Sequence, residues 1–476
     1  MENQKTKIIS IASIIALALT LVTATYAYFM AQTGEGKSTD IKINANTIDT
    51  FTFEAGSALN LNLNQDNFAS GKGNQTGTTF AKAMLTANNK TNTATEHYYM
   101  YLNISNNTFT YSIDNNTPEI LLSIKDSSNN EITTLTGLTY KTVTDGKGAS
   151  IKGFDITNKK GLVTILNNRE ITTTSTKTEE WNVTVIFVNY NSNQAGNAGK
   201  NFSAKLMIQK EEYKQTLVEY VKSQYTGTQG ENSLYYHNST LTNGAGDNSY
   251  RYAGASASVN NYICLGSDAT TCPDANLFRI IGVFGDQTKV IRAKSVGNKQ
   301  WHSSESNTWS SSSLNTYLNG EYLTSLGTLA DKIAITTWKV GGGTNANLFS
   351  SVPKTAYQYE VGSSASTTTY DAKIGLMYVS DYYYSASPSA WTLVGYNYND
   401  ATNDYRAAKT INWLFLGSKE WTISRNSDIS YYAFLVYNDG SVRSYDVSNG
   451  YGVRPSFNLE SSVKYVSGSG SMSDPV

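Results

Sequence analysis

Short runs in which apolar and polar residues alternate are the feature that most restricts how this chain can fold. In the run HYYMYLNIS at 97–105, one face carries the side chains of Tyr98, Met100, Leu102 and Ile104. Similar runs are EWNVTVIFVN at 180–189 and FSAKLMIQ at 202–209. Successive side chains of a strand point to opposite faces, so this period of two is typical of half-buried strands. We therefore predict a β-sandwich, in which two sheets cover each other's apolar faces.

Composition extends the prediction to the whole chain. Tyrosine occurs 34 times, and charged residues are only 16% of the sequence, with a formal net charge of −1. We expect a mainly β protein of extracellular type, without the basic surface that a nucleic-acid partner needs. At 476 residues, the chain exceeds what one hydrophobic core normally organises, so we expect at least two domains.

The N-terminal segment has the pattern of an export signal. Lys5 and Lys7 precede an apolar run that begins at Ile8, and the small residues of Thr25-Tyr26-Ala27 fit a cleavage site. We predict that residues 1–27 are a signal peptide. The alternative is an uncleaved membrane anchor over residues 8–29, which is about long enough to span a bilayer. Either case predicts a secreted or cell-surface protein that touches the membrane only through this segment.

Two motifs near the N-terminus carry a family resemblance. TATYAYFMAQTGEG at 23–36, followed by TIDTFTFEAG at 47–56, resembles the start of the TasA/camelysin family of Gram-positive surface and biofilm-matrix proteins. The resemblance implies cleavage between Ala27 and Tyr28 and a jelly-roll-like sandwich over residues 28–210. It also implies self-assembly into fibres as a second function to consider.

A short helix is predicted where the first domain ends. In EEYKQTLVEYVKSQY at 211–225, apolar residues recur every four positions, which places them along one helix face. We predict a helical linker over residues 211–228, packed against one of the domains because so short a helix is marginal alone. The second domain then occupies residues 229–476.

The cysteines and the next strands predict local structure in the second domain. Cys264 and Cys272 are the only cysteines, and a close pair in an exported protein favours one disulfide over free or metal-bound thiols. The apolar runs 277–284 and 288–293 flank the turn 285–287, which predicts a hairpin.

Three later motifs carry a second resemblance. WSSSSLNTYLNGEYL at 309–323, SYYAFLVYNDGSV at 430–442 and GVRPSFNL at 452–459 are similar to a Firmicutes family of unknown function. Its fold is related to C-type lectins and formylglycine-generating enzymes. The resemblance implies a C-type-lectin-like α+β domain. The residues of 309–323 themselves predict a helical stretch that Ser311 or Ser312 caps.

The resemblance does not extend to enzyme chemistry. Formylglycine-generating enzymes use a pair of reactive cysteines late in the domain, whereas this chain has none after Cys272. We therefore predict a non-enzymatic protein without a cofactor. Calcium is the alternative, because Asn438 and Asp439 after Tyr437 loosely resemble the Trp-Asn-Asp of sugar-binding lectins. The companion Glu-Pro-Asn is absent, and Asn-Asp-Gly between apolar runs is a strong turn signal.

Arg454, directly before Pro455 in the last apolar run, has a structural interpretation. Proline suits a strand end because it lacks a donor for the β-ladder, and arginine offers five donors to nearby carbonyls or a carboxylate. We predict that Arg454 ties the chain's end to the core rather than acting in catalysis.

The segment 377–406 gathers tyrosine and tryptophan in loop-rich sequence, a combination favoured in recognition surfaces. The alternative is that several of these rings fill the core. Alternation would turn Tyr383 away from its two tyrosine neighbours. With the turn at 438–443, the predicted binding residues are Tyr382, Tyr384, Trp391, Tyr396, Trp421, Asn438, Asp439 and Arg443.

Together these observations predict a non-enzymatic display protein, with a TasA-like base and a lectin-like recognition domain for a glycan or a surface protein. A fibre-forming structural subunit is the alternative, and an enzyme is the less favoured one.

Overall fold

A computed structural model describes residues 49–63, 67, 71–88, 92–267, 269 and 271–476. The predicted signal peptide or anchor, including the cleavage point between Ala27 and Tyr28, lies outside these residues. Within them, no helix combines the length and the apolar character needed to cross a membrane. The structure confirms a mainly β protein. Two compact units divide between Tyr213 and Lys214.

The N-terminal unit consists of two antiparallel sheets. The six-stranded sheet has the order β1-β3-β9-β5-β7-β6, and the four-stranded sheet has the order β2-β10-β4-β8. The strands are β1 (Thr50–Ala55), β2 (Leu59–Asn62), β3 (Gln75–Thr86), β4 (Ala94–Asn107), β5 (Ile120–Asp126), β6 (Tyr140–Thr144), β7 (Ser150–Asp155), β8 (Gly161–Thr173), β9 (Thr176–Phe187) and β10 (Asn201–Gln209), with one 3₁₀ turn at Ala195–Asn197.

The core of this unit lies between the two sheets, as the alternating sequence predicts. Met100 and Leu102 of β4 and Val183 of β9 are fully buried in one hydrophobic cluster. A polar link also joins the sheets: Trp181 Nε1 donates to the Tyr98 hydroxyl at 2.9 Å, and that hydroxyl donates to Glu179 Oε2 at 2.7 Å. Both buried polar groups therefore have partners, which removes the cost of leaving them unpaired.

The C-terminal unit contains three sheets. A seven-stranded sheet has the order β11-β12-β14-β15-β24-β19, with β13 beside β14; a five-stranded sheet has the order β16-β23-β20-β21-β22; β17 pairs with β18. The strands are β11 (Leu234–Tyr236), β12 (Tyr250–Tyr252), β13 (Tyr262–Cys264), β14 (Leu277–Phe284), β15 (Gln287–Arg292), β16 (Asn298–Gln300), β17 (Thr336–Lys339), β18 (Thr369–Ala372), β19 (Ile374–Gly375), β20 (Glu420–Arg425), β21 (Tyr432–Val436), β22 (Val442–Asp446), β23 (Gly450–Gly452) and β24 (Ser456–Leu459).

Short helices complete this unit. The α-helices are α1 (Leu217–Ser223), α2 (Ser313–Tyr317), α3 (Leu323–Ser325), α4 (Asn345–Leu348), α5 (Pro353–Glu360) and α6 (Val379–Tyr384). A π-helical turn at Leu318–Tyr322 joins α2 to α3. The 3₁₀ turns are Glu231–Ser233, Trp309–Ser311, Gly327–Lys332, Pro388–Ala390, Ala401–Asn403 and Lys409–Ile411.

Local signals in the sequence account for several of these elements. The disulfide between Cys264 and Cys272 is formed, as predicted. The predicted hairpin is β14–β15, with Phe284 opposite Gln287 across a two-residue turn at Gly285, whose φ is +64°. Glycine suits this turn because a positive φ is costly for residues with a Cβ.

The predicted linker helix is α1, and it belongs to the C-terminal unit. Thr216 and Glu219 form a capping box at its start, which satisfies backbone donors that a helix leaves free. Leu217 and Val221 are buried in the core of that unit. The same logic applies to α2, where Ser312 accepts a hydrogen bond from the Asn315 backbone as the N-cap.

Arg454 is buried between the last strands and the core, with 2% of its surface exposed. Its Nη2 donates to the Leu414 carbonyl at 2.5 Å and to Glu420 Oε2 at 2.8 Å. These are the carbonyl and carboxylate contacts that a structural clamp would make. Burial raises the pKa of Glu420, and the charge of Arg454 opposes that rise.

Candidate binding site

The tyrosines predicted to form a binding surface at 382 and 384 are buried, which corrects that prediction. Residues Val379–Tyr384 form helix α6 rather than an alternating strand, and every side chain of the helix is buried. Tyr382 donates to the Gly440 carbonyl at 2.8 Å, and Tyr384 donates to the Asn243 carbonyl at 3.2 Å. Trp391 is buried as well, with its Nε1 3.0 Å from the Ala386 carbonyl. These rings pack the core and have no free face for a ligand.

Two of the other predicted residues, Tyr396 and Arg443, belong to one surface, which we call the tyrosine–cation row; Asp439 pairs with Arg443 there, and Trp421 is buried beneath it. Its rings and cations alternate in space although they come from separate segments of the C-terminal unit. The members are Tyr396, Tyr398, Arg406, Lys419, Tyr437, Arg443, Tyr445 and Tyr451.

One end of the row lies in the loop after the 3₁₀ turn Pro388–Ala390. Tyr398 is 77% exposed, and its ring centroid lies 4.7 Å from that of Tyr396 in an edge-on arrangement. Two guanidinium groups contact the Tyr396 ring, that of Arg406 at 4.7 Å and that of Arg443 at 4.3 Å from the centroid. Cation–π contacts of this kind hold the ring in place.

The middle of the row is built on the hairpin β21–β22. The predicted turn is present: Asp439 Oδ1 accepts from the Ser441 amide at 3.0 Å, and Tyr437 lies just before it. Arg443 Nη2 pairs with Asp439 Oδ2 at 2.6 Å, and its guanidinium lies 4.0 Å from the Tyr437 ring centroid. Asn438, at the tip of the turn, is exposed.

The far end of the row surrounds Lys419, which directly precedes β20. Its ammonium lies 4.4, 5.6 and 5.1 Å from the ring centroids of Tyr437, Tyr445 and Tyr451, respectively. Tyr437 and Tyr445 are stacked, with centroids 5.7 Å apart. Trp421 is buried beneath this end, 5.0 Å from Tyr451.

Electrostatics keep Lys419 charged. Burial tends to lower its pKa, but the tyrosines around it raise the pKa overall, with Tyr437 the largest contributor. The pKa of Tyr437 is lowered, by a hydrogen bond with Tyr445 first and by Lys419 second. Among the described residues, the ion pairs engage Arg406 with Asp404 and Arg443 with Asp439, but none engages Lys419. The row therefore presents one cation whose charge is not neutralised by a carboxylate.

The sequence predicts only part of this row. Tyr396 and Arg443 of the row were predicted, with Asp439 and Trp421 that support it. Tyr398 and Arg406 fall in the predicted aromatic segment and Tyr437 precedes the predicted turn, whereas Lys419, Tyr445 and Tyr451 were missed. One signal was available: Arg443 and Tyr445 are two residues apart on one strand, and the period of two places them on the same face.

The described residues contain no group of three or more His, Cys, Asp or Glu side chains placed to hold a metal ion. A separate charged cluster lies beneath the surface of the same unit. Lys289 Nζ lies 2.5 Å from Asp381 Oδ2, and Arg251 Nη2 lies 2.6 Å from Asp247 Oδ2. The two cations are nearly fully buried, so their pairing with carboxylates is needed for stability.

The geometry defines a mainly β protein whose C-terminal unit carries a partly exposed aromatic and cationic surface. Residues 285–461 match the sequence model of a family described as "Domain of unknown function (DUF6273)". This range contains every member of the tyrosine–cation row. No curated protein matches the chain.

Proposed function

We propose that this chain is a non-enzymatic secreted or cell-surface protein whose C-terminal unit binds a glycan through the tyrosine–cation row. The N-terminal β-sandwich serves as its TasA-like base, and the C-terminal unit is its lectin-like recognition domain. A surface protein is the alternative partner.

The observation that carries the proposal is the Lys419 end of the row. Three tyrosine rings and one unneutralised ammonium share a surface that is partly open to solvent. Tyrosine offers a broad apolar face with a polar tip, which suits the apolar faces and hydroxyl groups of a sugar. The cation adds a preference for sugars that carry acidic groups. Ring-on-cation packing fixes these side chains before binding, which lowers the entropic cost of association.

The test is glycan-array binding by the full chain, followed by titration of the best glycan. We expect Tyr398→Ala and Tyr437→Ala each to weaken binding about fivefold, the effect of losing one aromatic contact. Lys419→Met should weaken the binding of acidic glycans more than that of neutral glycans. Tyr359→Ala is the matched control, because Tyr359 is also exposed, at 41%, but belongs to α5 rather than to the row.

Unchanged binding by Tyr398→Ala, Tyr437→Ala and Lys419→Met would exclude the row as the binding site. Equal losses in these variants and in the Tyr359 control would point to a general effect on the surface rather than to recognition.

A fibre-forming subunit is a second candidate, favoured by the edge of the six-stranded sheet. Among the described strands, β1 lies at that edge, and all six of its residues are only partly buried. An open edge can pair with a strand from another copy. Electron microscopy and sedimentation of the purified chain distinguish the two: filaments support assembly, and a monomer at all concentrations excludes it.

A further inference from the structure

A cleft of about 450 Å³ lies in the C-terminal unit at the end of β15, and no residue of the row lines it. Its walls include Arg292, Tyr317, Glu321 and Tyr322. Arg292 is the last residue of β15, and the other three belong to the helical segment of α2 and the π-helical turn. The cleft is open to solvent, so a small ligand could enter it.

Arg292 lacks the partners that other arginines of this unit have. Its backbone N–H donates to the Pro455 carbonyl at 3.0 Å. Its guanidinium donates toward the Tyr322 hydroxyl, but it forms no ion pair with a described residue, and its Nε is buried without a partner. In contrast, Arg279 uses Nε, Nη1 and Nη2 as donors. A guanidinium stays charged at all physiological pH values, and its buried Nε carries a desolvation cost unless an acceptor reaches it.

Tyr322 has the same deficit. Its side chain is only 4% exposed, and its hydroxyl proton has no acceptor among the described residues, since the neighbouring Arg292 guanidinium is itself a donor. The buried hydroxyls of Tyr382 and Tyr383 donate to backbone carbonyls instead. Tyr322 also ends the π-helical turn, a rare local structure that occurs often at functional sites.

The protonation state makes both groups donors. Burial raises the pKa of Tyr322 to about 12, although the charge of Arg292 and its hydrogen bond to the hydroxyl work against that rise. The hydroxyl therefore keeps its proton near neutral pH. Two donors that lack acceptors face one cleft, and the complementary ligand group is an anion that accepts hydrogen bonds.

We propose that this cleft binds the carboxylate group of a small organic acid, with Arg292 as its counter-ion and the Tyr322 hydroxyl as a second donor. The local charge favours a single negative charge. Arg292 and Glu321 are in the lining, and Lys299 Nζ lies 3.7 Å from the centroid of the Tyr317 ring, so this region carries two cations and one carboxylate. A planar carboxylate also matches the fork of a guanidinium. The ring of Tyr317 forms a wall for the body of the ligand.

The test is a titration of the full chain with three probes, in which calorimetry and saturation-transfer NMR of the probe measure binding. D-glucuronate is a sugar acid, acetate is the bare carboxylate, and D-glucose is the uncharged sugar. We expect D-glucuronate to bind, acetate to compete with it, and D-glucose not to bind. Competition by acetate identifies the carboxylate as the group that the cleft recognises. Tighter binding of D-glucuronate than of acetate indicates that the ligand carrying this carboxylate is a sugar acid.

Variants assign the site. Arg292→Gln and Tyr322→Phe should each weaken D-glucuronate binding at least about tenfold, as expected for hydrogen bonds to a charged group. Lys294→Gln is the matched control, because it removes an exposed positive charge two residues away that does not line the cleft. Tryptophan fluorescence confirms that each variant is folded. Because the row is also proposed to favour acidic sugars, the two sites are separated in the Tyr437→Ala background: D-glucuronate binding that persists there and is lost on adding Arg292→Gln belongs to the cleft.

Three results would overturn the proposal. These are D-glucose binding as tightly as D-glucuronate, D-glucuronate affinity unchanged in a folded Arg292→Gln variant, and no binding of D-glucuronate or acetate by the parent chain.

Discussion

Replacing Arg454 by methionine should strongly destabilise the C-terminal unit, because it leaves a buried carboxylate without its counter-ion. Arg454 and Glu420 each have side chains that are 1% exposed, and Nη2 lies 2.8 Å from Oε2. Removing one partner of such a pair typically costs about 3–5 kcal/mol of unfolding free energy. Methionine preserves most of the apolar volume, so the loss reports mainly on the charge and its hydrogen bonds.

Two features place the expected cost at the lower end, about 3 kcal/mol. Oε1 of Glu420 and Nε of Arg454 already lack hydrogen-bond partners in the described structure. The pair is therefore held by one guanidinium nitrogen rather than by a bidentate contact. In addition, Arg279 has its pKa lowered to about 10, by burial first and by the neighbouring charge of Arg454 as a smaller cause. Removing Arg454 relieves that repulsion.

Urea denaturation followed by tryptophan fluorescence measures this effect. Six of the seven tryptophans lie in the C-terminal unit, with Trp181 the exception, so the signal reports mainly on the unit that is perturbed. At a typical dependence of the unfolding free energy on urea, about 2 kcal/mol per M, a loss of about 3 kcal/mol lowers the unfolding midpoint by about 1.5 M urea. The double variant Arg454→Met with Glu420→Gln should recover part of the loss, because the unpaired charge is gone. If Arg454→Met unfolds at the parent's midpoint, Arg454 is not the clamp described here, and if it unfolds normally but loses ligand binding, its role is in recognition.

Three further predictions concern pH, the disulfide and export. Burial acts to raise the pKa of Asp247, but the charge of Arg251 and two hydrogen bonds from Ser249 outweigh burial and lower the pKa to about 2. A carboxyl with a lowered folded-state pKa contributes stability above its unfolded pKa, so about 2 kcal/mol should be lost as pH falls from about 4 to 2; Asp247→Asn should lack this loss in acid titrations. Reduction of Cys264–Cys272 should cost about 2 kcal/mol in urea denaturation, and alkylation of both thiols without prior reduction would contradict the disulfide. N-terminal sequencing of cell-surface protein should begin at Tyr28, whereas recovery of peptides from residues 1–27 in a membrane fraction would favour the anchor.

The sequence predicted the fold wherever a short stretch determines the structure. Alternation marks β4 and β9, the glycine turn marks the β14–β15 hairpin, and spacing marks the disulfide, because each signal is complete within a few residues. Helix α6 was missed for the opposite reason. Three consecutive tyrosines are typical of a strand, but the carboxylate of Glu360 accepts hydrogen bonds from the backbone of Val379 and Ser380 at the start of this helix. Glu360 is about 20 residues away in the chain, so the local periodicity of the sequence cannot predict this contact.

The tyrosine–cation row was predicted only in part, because some of its contacts also come from distant parts of the chain. The turn that presents Arg443 is encoded locally by Asn-Asp-Gly, but packing alone brings Lys419 and Tyr396 to it. Trp421 shows how far the surface depends on that packing: its Nε1 donates to the Lys299 carbonyl at 3.0 Å, and its ring supports Tyr451 from below. A substitution at Trp421 would therefore change stability and the position of Tyr451 together. Only variants of the partly exposed rings, whose removal leaves the core intact, can separate recognition from folding in this protein.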